Sequence, residues 1–217
     1  MSIAVFLADD HAVVRDGLRF LLEAQGDVEV VGDAADGRET VRRVGELCPD
    51  VVIMDVVMPE LNGIEATKQI TEVCPSARVI ILSMHSTSEH IFRAFRAGAW
   101  GYLLKESAGS EVVSAVRAVQ AGRRYLSDKI ADTVLDDYMR WGEAVETKSP
   151  LERLSPRERE ILQLVVEGHS SAKIASILSI SPKTVDTYRS RLMQKLGISD
   201  LPGLVKFAVQ HGVTPLG

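Results

Sequence analysis

The chain has 217 residues, which favours two domains over one. Its charge divides unevenly. Residues from Arg153 onward carry nine Lys and Arg against five Asp and Glu, a net +4, whereas the remaining residues carry 16 against 25, a net −9. The only cysteines, Cys48 and Cys74, have no Cys-x-x-Cys spacing, so neither a disulfide framework nor a structural zinc site is expected. No basic, apolar leader opens the chain and no apolar run reaches the ~18 residues of a membrane span, so we expect a cytoplasmic protein with reduced thiols and no membrane partner.

Five apolar runs alternate with segments of helical spacing along the first 122 residues. The runs that predict strands are residues 3–8, 28–34, 51–54, 79–83 and 102–104. Helical spacing is clear in residues 14–23, 39–47, 64–73 and 111–121. A β-α alternation of this length predicts an α/β doubly wound, five-stranded parallel sheet.

The alternation stops near Gly122, and residues 123–151 read as a linker. An amphipathic stretch at residues 130–139 predicts one helix within it. That helix could be a packed extension of the first domain or a dimer contact, and the sequence does not separate the two. A tether is the interpretation we favour.

Residues 152–217 show helical periodicity throughout and predict a second, all-α domain. Ser155-Pro156 and Ser181-Pro182 each supply a capping serine with proline in the first turn, and Gly168 and Gly197 end the helices that follow. The predicted helices are residues 157–167, 172–178, 182–196 and 201–210.

Three aspartates close predicted strands. Asp9 and Asp10 follow the first strand, and Asp55 follows the third. The carboxyl ends of parallel strands meet at one rim of a sheet, so these carboxylates should converge. Clustered carboxylates either raise a pKa or hold a hard cation, and Mg²⁺ is the expected cofactor. Taken alone, Asp10 could equally cap the following helix.

Ser83 and Lys105 end the fourth and fifth predicted strands at the same rim. A carboxylate accepts a phosphoryl group only where the charge on the phosphoryl oxygens is neutralised, which takes a divalent ion on one side and an ammonium group on the other. We expect Asp10 and Asp55 to hold the ion. Lys105 would bind the phosphoryl group as a point charge, and the Ser83 hydroxyl would donate to one of its oxygens.

The motifs around these positions resemble a known family. They read Ala8-Asp9-Asp10-His11, Met54-Asp55-Val56-Val57-Met58-Pro59 with Asn62-Gly63, then Ser83, and Gly101-Tyr102-Leu103-Leu104-Lys105. Over residues 3–122 the chain resembles the receiver domain of bacterial two-component response regulators of the NarL/FixJ class. The resemblance implies a flavodoxin-like fold and a sensor histidine kinase as the phosphoryl donor.

The same resemblance implies roles for individual residues. It makes Asp55 the phosphoacceptor and Tyr102 the aromatic ring that reorients together with Ser83. The metal site that it implies consists of Asp55, Asp9, Asp10 and the main-chain carbonyl of Val57. His11 and His85 are interpreted as local polar contacts rather than phosphoryl acceptors.

The helices at residues 172–178 and 182–196 have the dimensions of a helix-turn-helix, whose second helix enters the major groove of DNA. That helix carries four cations, Lys183, Arg189, Arg191 and Lys195. We expect Lys183, Arg191 and Lys195 to reach phosphates, and the short Thr184 and Thr187 to face the groove. Its inward face is predicted to consist of Val185, Leu192 and Leu196.

The stretch from Leu154-Ser155-Pro156-Arg157-Glu158 through Ile180-Ser181-Pro182-Lys183-Thr184-Val185 to Lys195-Leu196-Gly197 resembles the LuxR-type helix-turn-helix. This resemblance covers residues 152–212 and implies DNA binding as a dimer through the last helix. Tyr188, placed among the DNA contacts, stands where relatives frequently have histidine. Asp186 is a second departure, because an acid there repels phosphate yet can accept from a cytosine amino group.

Together these features predict a transcription factor in which phosphorylation of Asp55 switches dimerisation and sequence-specific DNA binding. The expected domains are a receiver at residues 1–122, a linker at 123–151 and a DNA-binding domain at 152–217. Expected partners are the histidine kinase, double-stranded promoter DNA and a second copy of the chain, with RNA polymerase as a further candidate. The receiver should assist its own phosphotransfer and dephosphorylation without being an enzyme in the ordinary sense.

Two rival interpretations remain open. An aspartyl-phosphate phosphatase would also use an acid after a strand and Mg²⁺, but it normally needs a second acid two residues further on, where this chain has Val57. The other rival is a phosphorylation-independent DNA binder that keeps its receiver for dimerisation alone. Magnesium-dependent labelling of Asp55 by acetyl phosphate separates the two-state switch from that rival.

Overall fold

The computed structural model describes residues 2–131, 134 and 150–214. Strands and helices alternate from the start of the chain. The strands are β1 (Ile3–Ala8), β2 (Val28–Ala34), β3 (Val51–Asp55), β4 (Arg78–Ser83), β5 (Gly101–Leu104) and β6 (Tyr125–Leu126). The helices are α1 (Ala12–Glu23), α2 (Gly37–Leu47), α3 (Gly63–Val73), α4 (Ser88–Arg96) and α5 (Ala108–Gln120), the last preceded by a 3₁₀ turn at Lys105–Ser107.

The strands form one parallel sheet in the order β2-β1-β3-β4-β5-β6. The predicted α/β sheet is therefore present, but the predicted count of five strands is wrong. The additional strand, β6, pairs parallel to β5, with Tyr125 opposite Gly101. A two-residue strand has no alternation to read, and this one lies in the segment that was interpreted as linker.

Helices cover both faces of the sheet. Successive residues of a strand point to opposite faces, so Phe6, Val52 and Ile81 join one core cluster with residues of α2, α3 and α4. Val5, Ile53 and Ile80 join a second cluster with residues of α1 and α5. Burial on both faces explains why the central strands are apolar along their whole length.

Two glycines allow close packing around the loop that follows β3. A Cβ at Gly63 would lie 2.0 Å from the carbonyl oxygen of Asp55, and a Cβ at Gly37 would lie 1.9 Å from that of Leu61. No side chain fits at either position. The N-termini of α2 and α3 therefore both close on the loop between Asp55 and Gly63.

The predicted linker is described only in part. Residues 128–131 and 134 are helical, and Ile130 is buried in the same core cluster as α3 and α4. This part of the predicted helix is thus packed on the first domain. The remainder of the stretch to residue 139, and the polar residues up to 149, lie outside the described residues.

The C-terminal domain is helical, as predicted. After a 3₁₀ turn at Pro150–Arg153 come α6 (Pro156–Val166), α7 (Ser171–Leu178), α8 (Pro182–Leu196) and α9 (Leu201–Gln210). Ser155 and Glu158 form a reciprocal capping box at the start of α6, and Ser181 caps α8. Ile161, Val185, Leu192 and Leu204 meet in a single core. In the part of the chain that the structure describes, no helix is long and apolar enough to span a membrane.

The expectation of reduced thiols is wrong for this structure, because Cys48 and Cys74 form a disulfide. Cys48 follows the last residue of α2 and Cys74 follows that of α3, and their Cα atoms are 5.8 Å apart. The cysteines are 26 residues apart in the chain, so no short sequence motif predicts that they pair. They meet because α2 and α3 pack side by side and end at the same edge of the domain.

Candidate functional site

The carboxyl ends of β1, β3 and β5 carry charged groups that converge at one rim of the sheet. Asp9 follows β1, Asp55 is the last residue of β3, and Lys105 follows β5. Lys105 Nζ lies 2.7 Å from Asp55 Oδ2 and 2.8 Å from Asp9 Oδ2. The ammonium group therefore bridges two carboxylates that the sequence separates by 46 positions.

Burial makes this charge cluster chemically unusual. Asp9 is 1% exposed and Asp55 is 3% exposed. Burial, followed by the charge of Asp9, raises the pKa of Asp55 to about 6, although Lys105 opposes the shift. Burial also lowers the pKa of Lys105, but the two carboxylates outweigh it and the net pKa lies above its ordinary value. At neutral pH, Asp55 is thus mainly ionised and faces a protonated lysine.

The same rim holds a donor set suited to a hard cation. Asp9, Asp10, His11 and Asp55 each place one possible ligand atom within 4.8 Å of the others. Mg²⁺ prefers carboxylate and carbonyl oxygens, so the three aspartates fit that ion. Asp10 is not the cap of α1, because the N-cap residue is His11 and no side-chain cap hydrogen bond is present. Its carboxylate instead lies 2.6 Å from Nδ1 of the exposed His11 ring.

Ser83 and Tyr102 meet the same stretch of backbone beside this cluster. The Ser83 hydroxyl accepts a hydrogen bond from the His85 N–H at 3.0 Å, and the Tyr102 hydroxyl donates to the His85 carbonyl at 2.8 Å. Both side chains are buried, and burial raises the pKa of Tyr102 to about 12. Ser83 and Tyr102 are therefore connected through one residue, His85.

In the C-terminal domain, α7 and α8 form a helix-turn-helix. Val185 and Leu192 of α8 are fully buried, as predicted, and Leu196 packs beside them. The opposite face of α8 is open to solvent, so the helix is not covered by the first domain. Its exposed residues include Lys183, Asp186, Thr187, Ser190, Arg191, Gln194 and Lys195.

Several of the predicted DNA contacts already have partners within the domain. Lys195 Nζ lies 2.6 Å from Glu158 Oε2 and ties the end of α8 to the capping box of α6. Asp186 Oδ1 accepts a hydrogen bond from the Ser171 hydroxyl at 2.8 Å, so this acid joins α8 to α7. Tyr188 packs partly into the core and Thr184 is half-buried. Thr187 faces solvent, although its hydroxyl donates to the Lys183 carbonyl at 2.9 Å. Lys183 and Arg191 also face solvent, and neither side chain is paired with another described residue.

Residues 5–117 match the family described as response regulator receiver domain, and residues 152–208 match the family of bacterial regulatory proteins, luxR family. The chain belongs to the response regulators. It combines a receiver with a LuxR-type DNA-binding domain, which confirms the family predicted from the motifs and identifies a regulator of transcription.

Named relatives extend over nearly the whole response regulator. The transcriptional regulatory protein MctR of Rhizobium johnstonii is 40% identical over 98% of this chain and 95% of its own. The oxygen regulatory protein NreC of Staphylococcus carnosus is 39% identical over 95% of this chain and 96% of its own. Both domains therefore occur together in these relatives.

Solved structures of response regulators are also similar to this chain. A two-component response regulator of the LuxR family from Aurantimonas sp. covers 64% of this chain and 99% of its own, with a TM-score of 0.62 and 40% identity. A structure of two RcsB dimers bound to two parallel DNAs covers 99% of this chain and 100% of its own, with a TM-score of 0.60 and 28% identity.

The two domains of the response regulator touch through a residue that the sequence did not reveal. Gln163 of α6 is fully buried, and its side-chain oxygen Oε1 accepts a hydrogen bond from the main-chain N–H of Asn62 at 2.8 Å. Its side-chain nitrogen Nε2 donates to the main-chain carbonyl of Met58 at 2.8 Å. Both partners lie on the loop that follows Asp55 and Val57. Gln163 thus hydrogen-bonds the backbone next to the predicted phosphoacceptor.

Ion pairs flank this central amide. Arg38 at the start of α2 reaches Glu160 at 3.3 Å, and Arg159 reaches Glu65 of α3 at 2.5 Å. No pattern in the sequence marks these residues, because helix periodicity predicts that they face outward from each domain without saying what they meet. The contact could have been found only by knowing how the domains dock.

Proposed function

We propose that Asp55 accepts a phosphoryl group from a sensor histidine kinase and that the resulting aspartyl phosphate changes how the DNA-binding domain is presented to promoter DNA. The observation that carries the proposal is the bridge from Lys105 to both Asp55 and Asp9. The Lys105 ammonium group can neutralise part of the charge of an incoming phosphoryl group, and the carboxylates beside it can hold the cation that neutralises more.

The proposed transfer is a displacement at phosphorus. An ionised oxygen of Asp55 attacks phosphorus, the O–P bond forms, and the bond between phosphorus and the histidine nitrogen of the kinase breaks. Lys105 supports the charge that gathers on the phosphoryl oxygens, and the Ser83 hydroxyl donates to one of them. Mg²⁺, when held by Asp9, Asp10, Asp55 and the Val57 carbonyl, supplies further positive charge to those oxygens.

Two routes would carry the change towards the C-terminal domain. One runs from Ser83 through His85 to Tyr102. The other runs along the loop after Asp55 to Gln163, because any shift of Met58 or Asn62 disturbs the hydrogen bonds that hold α6. Phosphorylation would therefore weaken the contact between the domains and free the DNA-binding domain to pair with a second copy.

The C-terminal domain would bind double-stranded DNA as a homodimer. The open face of α8 presents Lys183, Thr187 and Arg191 towards a major groove. A continuous apolar surface on α9 is suited to pairing between two copies, and it is lined by Leu201, Pro202, Val205, Lys206, Val209 and Gln210. The RcsB dimers bound to DNA support this assembly by similarity.

A second candidate is DNA binding that does not depend on phosphorylation. It is favoured by one observation: α8 is open to solvent while α6 is docked on the receiver. In that case the receiver would serve dimerisation alone. Four expectations stay predictions: RNA polymerase as a partner, the cytoplasmic location, the absence of other enzymatic activity, and the domain boundaries at residues 122 and 152.

The experiment compares wild type with Asp55→Asn in the presence and absence of beryllofluoride and Mg²⁺, which together mimic an aspartyl phosphate. DNA affinity and oligomeric mass are measured for each. The switch predicts a dimer and tighter DNA binding in wild type with beryllofluoride, and no response in Asp55→Asn. Equal DNA binding under all four conditions would replace the switch with the phosphorylation-independent candidate.

A further inference from the structure

The disulfide between Cys48 and Cys74 is placed where it can open and close without rearranging the fold. Both cysteines follow the last residues of neighbouring helices, and their Cα atoms are 5.8 Å apart, within the usual span of a disulfide. Cys48 adopts a left-handed conformation with φ 44°, which is uncommon for a residue with a Cβ. This turn ends α2 beside the end of α3 and brings the two sulfurs together.

The two sulfurs differ sharply in access to solvent. Cys48 is exposed, whereas Cys74 is 1% exposed and belongs to the core cluster of the receiver. The Ser76 hydroxyl lies 3.6 Å from the Cys48 sulfur and 3.4 Å from the Cys74 sulfur, so a donor is at hand for either thiolate once the bond opens. An outside thiol or disulfide can therefore reach Cys48 alone, and Cys74 reacts only with Cys48.

The bond also joins the two helices that hold the DNA-binding domain. At their opposite ends, α2 presents Arg38 to Glu160, and α3 presents Glu65 to Arg159. Asn62, which caps α3, is the residue that Gln163 contacts. A cross-link between the C-terminal ends of α2 and α3 thus limits how far their N-terminal ends can part.

We propose that Cys48 and Cys74 form a reversible redox site that exchanges with low-molecular-weight thiols and disulfides such as glutathione, and that its closed state tightens the docking of α6 on α2 and α3. The site adds a second input to the regulator and does not depend on phosphorylation of Asp55. In reducing compartments, disulfides are typically of this transient kind.

Closure proceeds in two exchanges. The Cys48 thiolate attacks one sulfur of oxidised glutathione, a bond between Cys48 and glutathione forms, and one glutathione leaves as its thiolate. The Cys74 thiolate then attacks the Cys48 sulfur and expels the second glutathione. The two cysteine thiols lose two electrons in total, oxidised glutathione gains them, and the two cysteine protons end on the two released thiols.

The chemistry is tested on the folded, full-length chain by mass spectrometry after rapid alkylation. Oxidised glutathione should convert the reduced chain fully to the disulfide, and excess reduced glutathione should reverse this without denaturant. Cys74→Ser should stop at the mixed disulfide on Cys48, whereas Cys48→Ser should stay unmodified. Two free thiols after oxidation of the wild type, or a disulfide that opens only after unfolding, would overturn the proposal.

The structural consequence has its own readout, hydrogen exchange of the α6 amides in both redox states. The reduced chain should exchange about threefold faster there, and its receiver should melt about 10 °C lower. Cys48→Ser should match the reduced wild type under both conditions. Unchanged α6 exchange in a chain shown to be oxidised would refute the coupling. Neither measurement involves DNA or Asp55, so failure of the phosphorylation switch would leave this result intact.

Discussion

Lys105 is the residue on which the receiver pocket depends most directly. Its ammonium group is the observed partner of Asp55 and Asp9, and one charge-assisted hydrogen bond contributes about 1.5–3 kcal/mol. Lys105→Met should therefore slow labelling of the chain by acetyl phosphate about 10- to 100-fold. Autoradiography or intact mass gives the rate.

A matched control removes a lysine that is also ion-paired but lies outside the pocket. Lys129 pairs with Glu106 at 2.9 Å on an exposed surface. Lys129→Met should label at the wild-type rate. Equal rates in the two variants would mean that the ammonium group at the rim plays no part in phosphoryl transfer.

His90 should make the stability of the protein depend on pH. It is 6% exposed, and burial, then His85, Arg93 and His211, lower its pKa to about 4, with Glu89 opposing. The unfolded chain has a histidine pKa near 6.5 and so takes up a proton as the pH falls, whereas the folded chain does not. The free energy of unfolding should therefore drop by about 3 kcal/mol between about pH 7 and about pH 4.

Urea denaturation at both pH values measures this loss, best in an Asp55→Asn background. The raised pKa of Asp55 acts in the opposite direction, because the folded state binds that proton more readily as the pH falls. His90→Gln in the same background should lose the dependence. A pH slope that survives His90→Gln would assign it to other groups.

The rim residues were predictable because a polar residue at the end of an apolar run is visible in the sequence. Asp9, Asp55 and Lys105 each occupy such a place. The pairing of Cys48 with Cys74 was not predictable, because it depends on two helix ends that meet only in three dimensions. Likewise, nothing marked Asp186 as the partner of Ser171 rather than of a base.

Helix α8 is the element expected to read DNA, and its exposed face allows a direct test. Lys183 is exposed at the start of the helix, where a cation can reach a phosphate. Lys183→Ala should weaken binding to specific and non-specific DNA alike and reduce the slope of log affinity against log salt by about one. Fluorescence anisotropy over a salt series measures both.

Lys129→Ala serves as the control, because it removes the same charge from a site outside the DNA-binding domain. Its salt slope should equal that of the wild type. If Lys183→Ala also keeps the wild-type salt slope, Lys183 does not contact a phosphate, and the proposed orientation of α8 on DNA is wrong.

Most elements were predictable because each has a periodicity or a cap of its own. Strands β1 and β2 have the predicted bounds, and α8 ends at Leu196 before Gly197 as expected. Strand β6 was not predicted, because the conformation of Tyr125 and Leu126 depends on their pairing with β5 rather than on their own sequence.

The contact between the two domains was beyond the reach of sequence analysis, since it depends on how two complete surfaces fit. Its centre, Gln163, can be tested by Gln163→Leu, which keeps the size of the side chain but removes its donor and acceptor. The docked state would then leave the Asn62 N–H and the Met58 carbonyl unpaired. We expect the domains to separate, with faster hydrogen exchange at residues 58–62 and no further change on adding beryllofluoride.

Gln25→Leu is the matched control, because Gln25 is exposed in the turn between α1 and β2. It should keep the wild-type exchange pattern and the wild-type response. A beryllofluoride response of normal size in Gln163→Leu would show that the signal reaches the DNA-binding domain by the Tyr102 route instead.

The order of the strands bears on how the protein is made. Asp9 and Asp55 come from early strands, but their cation arrives only with Lys105, after β5. A nascent chain still short of that residue lacks both β5 and the ammonium group that offsets the repulsion between the two carboxylates, so its pocket is incomplete. Phosphorylation competence should therefore require synthesis to pass Lys105, near the middle of the 217 residues, and it should precede the DNA-binding domain, which is made last.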